Sequence, residues 1–201
     1  MSTLARLKQC LDGLDGWICF VIGLSAGIML TGMLRPCAPA YAVPPNLSVA
    51  IIMAERPKMG ALESEFWRAA ITQAAIKHGI APEILTAKIA QETRFQQNLV
   101  SDTGARCAAQ IMPTHLRAPG AKAAIGEIES CLDKGAEILA FYINGGDGCP
   151  GGLEVGLRCY YAGPANVRAA APEKYRWYSD AILARVYLAQ QRASATIKSS
   201  N

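Results

Sequence analysis

Between residues 62 and 191, apolar positions recur at steps of three and four, a spacing that predicts helices rather than strands. Over 62–78, Phe66, Ala70 and Ala74 share one face, and Gly79 supplies the stop. A second helix opens at Pro82, where a missing N–H costs nothing. It carries Leu85, Ile89 and Glu92 at steps of four and three, so Glu92 continues an apolar stripe. Periodicity fades over 96–113, which predicts turns forming one wall of a groove. It returns over 131–142, with Leu132, Ala136 and Leu139 on one face. A short helix over 153–162 should end at Gly163. A long last helix over 172–191 should bury Tyr175, Tyr178, Ile182, Val186 and Ala189. The plan is mainly α, with no internal repeat.

The N-terminus follows another pattern. Residues 17–34 are almost continuously apolar, Arg6 and Lys8 precede them, and Ala40-Tyr41-Ala42 offers a small-x-small cleavage site before Val43. The run is long for a signal-peptide core and short for a spanning helix. It reads as a cleaved signal or an uncleaved inner-membrane anchor, and either places the remainder in the periplasm. Pro44, Pro45 and Pro57 mark a linker or short ordered strap. Four segments result: signal or anchor 1–42, linker 43–60, a helical domain 61–192, and a flexible tail 193–201.

Charge and cysteine narrow the class. The net charge of +4 fits an anionic cell-wall or membrane surface, while scattered rather than clustered basic residues argue against nucleic acid. Of seven cysteines, Cys10, Cys19 and Cys37 lie in or beside the leader, leaving Cys107, Cys131, Cys149 and Cys159 in the domain. An even number beyond an export signal predicts two disulfides. Four cysteines allow three connectivities; joining sequence neighbours favours Cys107–Cys131 and Cys149–Cys159. Buried thiols are the plain alternative. Zinc is disfavoured, because no pair has the close spacing of structural sites.

Glu92 carries the candidate chemistry. A carboxylate on the apolar side of a helix is costly to ionise, which suits a general acid. Against this stands the ordinary solvated glutamate. Asp102 is the nearest second carboxylate, but Ser101-Asp102-Thr103-Gly104 reads as a turn. The Gly-rich run 146–151 matches a dinucleotide-binding pattern without the strand that pattern needs. Two histidines, His78 and His115, with no recognisable nucleophile context, give no catalytic triad.

The segments Glu92-Thr93-Arg94-Phe95, Ser101-Asp102-Thr103-Gly104-Ala105-Arg106, Gln110-Ile111-Met112-Pro113-Thr114 and Cys159-Tyr160-Tyr161-Ala162-Gly163-Pro164, in this order, resemble the catalytic domain of soluble lytic transglycosylases. That resemblance spans roughly residues 65–187 and implies a lysozyme-like fold acting on peptidoglycan glycan strands. Thr93 stands where the family has Ser, Cys107-Ala108-Ala109 where it has Gly-Leu-Met, and Tyr161 where it has Asn. The resemblance implies Glu92 as the catalytic acid, with Thr93, Gln110 and Tyr160 as substrate or positioning residues. It implies a 1,6-anhydro-MurNAc product formed without metal or organic cofactor. A small exported enzyme of this kind often opens the wall for a secretion, conjugation or phage machine. The alternatives are a lysozyme-type hydrolase and a catalytically weak glycan-binding assembly component.

Overall fold

The computed structural model describes residues 46–116, 125–171 and 173–199. The apolar run 17–34, the Ala40-Tyr41-Ala42 site and Cys10, Cys19 and Cys37 lie outside the described residues. Among the described residues, no helix is long and apolar enough to cross a membrane. Seven α-helices account for the regular structure there: α1 Leu47–Glu55, α2 Ala61–Lys77, α3 Pro82–Thr93, α4 Ile128–Ile143, α5 Leu153–Ala162, α6 Pro164–Ala169 and α7 Arg176–Ser199. Extended pairing among them is limited to isolated bridges of Arg106 with Val100 and Ile111.

Helix α3 sits at the centre. Leu85, Ala87 and Ile89 are fully buried, and α1, α2 and α7 pack around the helix. Helix α4 packs on α2 and α5, and α5 on α7. In α2 the buried stripe is Ser64, Trp67, Ala70, Ile71, Ala74 and Ala75, whereas Phe66 is exposed. The face is thus rotated by one residue from the expected one, and it takes the larger Trp67 ring and Ile71 into the core. Gly163, at φ +80°, ends α5 in a conformation that disfavours other residues, and Pro164 starts α6 at once.

Two expected boundaries are corrected. Within the presumed linker 43–60, α1 folds onto the core. Asn46 caps it, its Oδ1 accepting from the N–H of Ser48 at 3.1 Å and of Val49 at 3.4 Å. Ile51 and Ile52 are buried, and Arg185 of α7 donates to Glu55 Oε1 and Gln91 Oε1, each at 2.7 Å. Pro57 follows this helix and so does not break it. At the other end, α7 continues to Ser199 where a flexible tail from 193 was expected. Ala193 and Ala195 favour helix, and Ser194 and Thr196 bond carbonyls one turn back.

Disulfides join Cys107 to Cys131 and Cys149 to Cys159, with sequence separations of 24 and 10. The first ties the irregular stretch after α3 to α4, the second ties the loop after α4 to α5. Closing loops of this size restricts the unfolded chain and stabilises the fold by about 2–4 kcal/mol per bridge. Protein purified from an oxidising compartment should show no reactive thiol at these four positions after denaturation without reductant. Added reductant should lower its melting temperature by several degrees; four labelled thiols in the unreduced protein would contradict both bridges.

Candidate functional site

Glu92 lies in the last turn of α3, and backbone strain gathers just beyond it. Arg94 (φ +50°), Phe95 (+62°), Cys107 (+59°) and Gln110 (+51°) all take left-handed conformations that non-glycine residues adopt at a cost. Packing holds them there. The Phe95 ring meets Trp67 edge to face at 5.6 Å, and Cys107 is tied to α4. Gly135 of α4 lets the turn 107–110 come close: a Cβ at that position would stand 2.5 Å from Ala109 Cβ. The turn is thereby seated on α4, with its carbonyls serving α3.

Those carbonyls organise the site. Ala109 O accepts from Lys88 Nζ at 2.5 Å and from the Tyr160 hydroxyl at 2.8 Å. Ala108 O accepts from Thr93 Oγ1 at 3.1 Å. Lys88 is fully buried, its Nζ 3.7 Å from Glu92 Oε1 and 3.7 Å from the centre of the Tyr160 ring. Tyr178, on the buried side of α7, donates its hydroxyl to Glu92 Oε1 at 2.5 Å. Glu92 itself keeps 14% of its side chain exposed.

Electrostatics fix who donates. Burial, reinforced by the nearby Glu92 charge, pushes the Tyr178 and Tyr160 hydroxyls well above the ordinary tyrosine range. Both therefore stay protonated and donate at any working pH. Loss of hydration draws Lys88 down to about 8, against the opposing pull of Glu92.

A groove of about 420 Å³ runs beside this cluster, lined by Thr103, Met112, Thr114, Tyr142, Tyr160, Tyr161, Asn166 and Tyr175 among others. Glu92 adjoins it through its partners: Lys88 lies over Tyr160, and Tyr178 stacks on Tyr161 at 4.8 Å. Tyr161, half-exposed, lines the groove, and the half-exposed Trp177 meets it edge to face at 5.1 Å. No cluster of side chains fit to hold a metal ion occurs among the described residues.

The three expected partners of Glu92 and the substrate make these contacts. Tyr160 lines the groove, but its hydroxyl bonds Ala109 O; the tyrosine that bonds Glu92 is Tyr178. Thr93, only 4% exposed, braces the 107–110 turn and accepts from Gln96 N–H at 3.3 Å. Gln110 donates its amide to Cys107 O at 3.0 Å and Leu99 O at 3.3 Å, which is turn packing. Asp102 is exposed in its turn, as expected. The 146–151 run forms a short 3₁₀ turn, Gly146–Gly148, after α4, clamped by Arg168 on the carbonyls of Asp147 and Gly148.

Comparison with known proteins agrees with this geometry. A family model described as "Transglycosylase SLT domain" matches residues 69–180. Among solved structures, an inactive glutamate-to-glutamine mutant of the lytic transglycosylase Slt from Pseudomonas aeruginosa superposes with a TM-score of 0.51 at 20% identity. The match covers 64% of this chain and 24% of that one, so the chain spans about a quarter of that protein's length. None of the curated proteins compared matches the chain in sequence. With more than half its length under the family model, the chain belongs to the transglycosylase SLT domain family, and its helical fold is lysozyme-like.

Proposed function

We propose that this protein is an exported peptidoglycan lytic transglycosylase in which Glu92 is the sole acid and base. The observation that carries the reading is Glu92 itself: a partly shielded carboxylate beside a groove, oriented by Tyr178 and Lys88. The family match and the inactive glutamate-to-glutamine mutant of Slt support it. Glycosidases that use water usually need two carboxylates flanking the bond. Glu92 reaches this groove through Tyr160 and Tyr178, and among the described residues that line it there is no second Asp or Glu. A single acid suffices when the substrate supplies its own nucleophile.

In this reading Glu92 protonates the oxygen of the MurNAc–GlcNAc β-1,4 bond as that bond breaks. The resulting carboxylate then takes the proton of the MurNAc C6 hydroxyl, whose oxygen bonds the anomeric carbon. One proton is given and one regained, and the product carries a 1,6-anhydro ring. Tyr161 and Trp177 offer apolar ring faces to the sugars. Two disulfides and the apolar N-terminal run favour the periplasm or an inner-membrane anchor facing it. A small domain so placed suits local wall opening for a secretion, conjugation or phage assembly.

Mass spectrometry of purified sacculi after digestion tests the reading. Muropeptides ending in 1,6-anhydro-MurNAc are expected. Reducing MurNAc ends would instead mean a lysozyme-type hydrolase, and binding without release would mean an assembly component.

A further inference from the structure

Lys88 enters the reaction above only as a neighbour that orients Glu92, and its charge is given no task there. It sits one turn before Glu92 on α3 and is fully buried, a rare state for lysine because the ammonium loses its water. Ala109 O, the Tyr160 ring and Glu92 replace that water only in part, and burial remains the dominant influence on it. Packing alone does not ask for a cation here. Leu85 and Ile89, on the same stripe, are fully buried and apolar, and an apolar side chain at 88 would be accommodated at least as well.

We propose that Lys88 is the positioning residue that stabilises the carboxylate Glu92 becomes on giving up its proton, by holding an ammonium against one carboxylate oxygen. The inference rests on Glu92 acting as the acid. As Glu92 gives up its proton, negative charge develops 3.7 Å from the ammonium in a site poor in water, where the attraction is strong. The neutral acid gains little from the same neighbour. The interaction is therefore differential and lowers the barrier to proton transfer. Removing the cation takes this stabilisation away from the developing carboxylate, so its loss is read in the pH dependence of turnover.

The surrounding groups do not mimic this behaviour. Tyr160 from α5 and Tyr178 from α7 remain protonated. The Cys107–Cys131 bridge does not titrate. Tyr142 and Tyr161 act on the two tyrosines, and His115 meets Tyr142. Glu55, Arg185 and Arg94 form an ion-pair group that reaches α3 through Gln91. All of these are retained when only residue 88 is changed.

Lys88→Met removes the charge at similar length, and Tyr160 still donates to Ala109 O, so no buried carbonyl is orphaned. Lys88→Gln is a second neutral variant that keeps a donor. Turnover on sacculi is measured from acid to mildly alkaline pH, binding is measured separately, and the Glu92 carboxyl is titrated by carbon NMR. In both variants, turnover on the acid plateau should fall about tenfold and the alkaline fall-off should move up by about one pH unit. Glycan binding should be unchanged, and the carboxyl titration should move up with the fall-off. A loss uniform across pH, or an unmoved carboxyl titration, would overturn the proposal. Failure of the catalytic reading looks different: Glu92→Gln would then keep wild-type turnover, while the carboxyl titration would still test the pairing.

Discussion

Glu92→Gln abolishes release of muropeptides from sacculi while the helical fold persists. The amide is nearly isosteric and can accept the Tyr178 hydroxyl bond, but it cannot give and regain a proton. Losing a general acid costs about 10²–10⁴-fold in rate, and here the same group serves both half-reactions. The variant also leaves the buried Lys88 ammonium facing a neutral amide instead of a carboxylate. That should lower stability at neutral pH, because a buried cation without its counter-ion is poorly tolerated. The sign of the pH dependence follows from Lys88. Folding lowers its pKa from 10.5 to about 8, so between those values the unfolded chain binds more protons. The contribution of this group to stability therefore rises with pH across that window, and the variant's deficit should shrink there. Retention of at least a third of wild-type turnover would exclude Glu92 as the acid.

Most of the helical plan was legible because its signals are local. Pro82 opens α3, Gly163 closes α5, and Leu132, Ala136 and Leu139 mark the buried face of α4. Helix α1 was hidden because nine residues between prolines look like a strap, and what fixes it is Ile51 and Ile52 packing on distant helices. Tertiary contact decided that segment, not propensity. The α7 end was misread for the opposite reason: an alanine-rich polar stretch needs no core to be helical.

The site divides in the same way. Glu92 could be read from a stripe and a motif, since both lie within one helix and its exit. Tyr178 could not be read as its partner, because the bond spans 86 residues. One signal was available: a tyrosine on the buried stripe of the last helix must find an acceptor for its hydroxyl. Lys88 offered a similar clue. It stands three residues after Leu85 and four before Glu92, so the apolar stripe carries a cation as well as an anion, and the two at that spacing are neighbours. Motif position makes Thr93 and Gln110 substrate candidates, while their hydrogen bonds within the fold go to the turn after α3.

Tyr178→Phe is the sharpest test of how the acid is held. The hydroxyl is the donor bonded to Glu92 Oε1, and its phenol is kept protonated by burial, so the bond is present throughout the working range. A hydrogen bond to a charged group contributes about 1.5–3 kcal/mol, which sets the expected loss in turnover at roughly 10–100-fold. The ring stays, so its stacking on Tyr161 and the core packing of α7 are preserved, and glycan binding should change little. Tyr160→Phe should cost less, because Ala109 O keeps its bond from Lys88. Tyr161→Asn removes the ring that stacks on Tyr178 and lines the groove, so it should weaken glycan binding more than the Tyr178 change does. Separate measurements of turnover and binding on sacculi distinguish these outcomes. Equal turnover in wild type and Tyr178→Phe, together with a large loss in Tyr160→Phe, would return the orienting role to Tyr160.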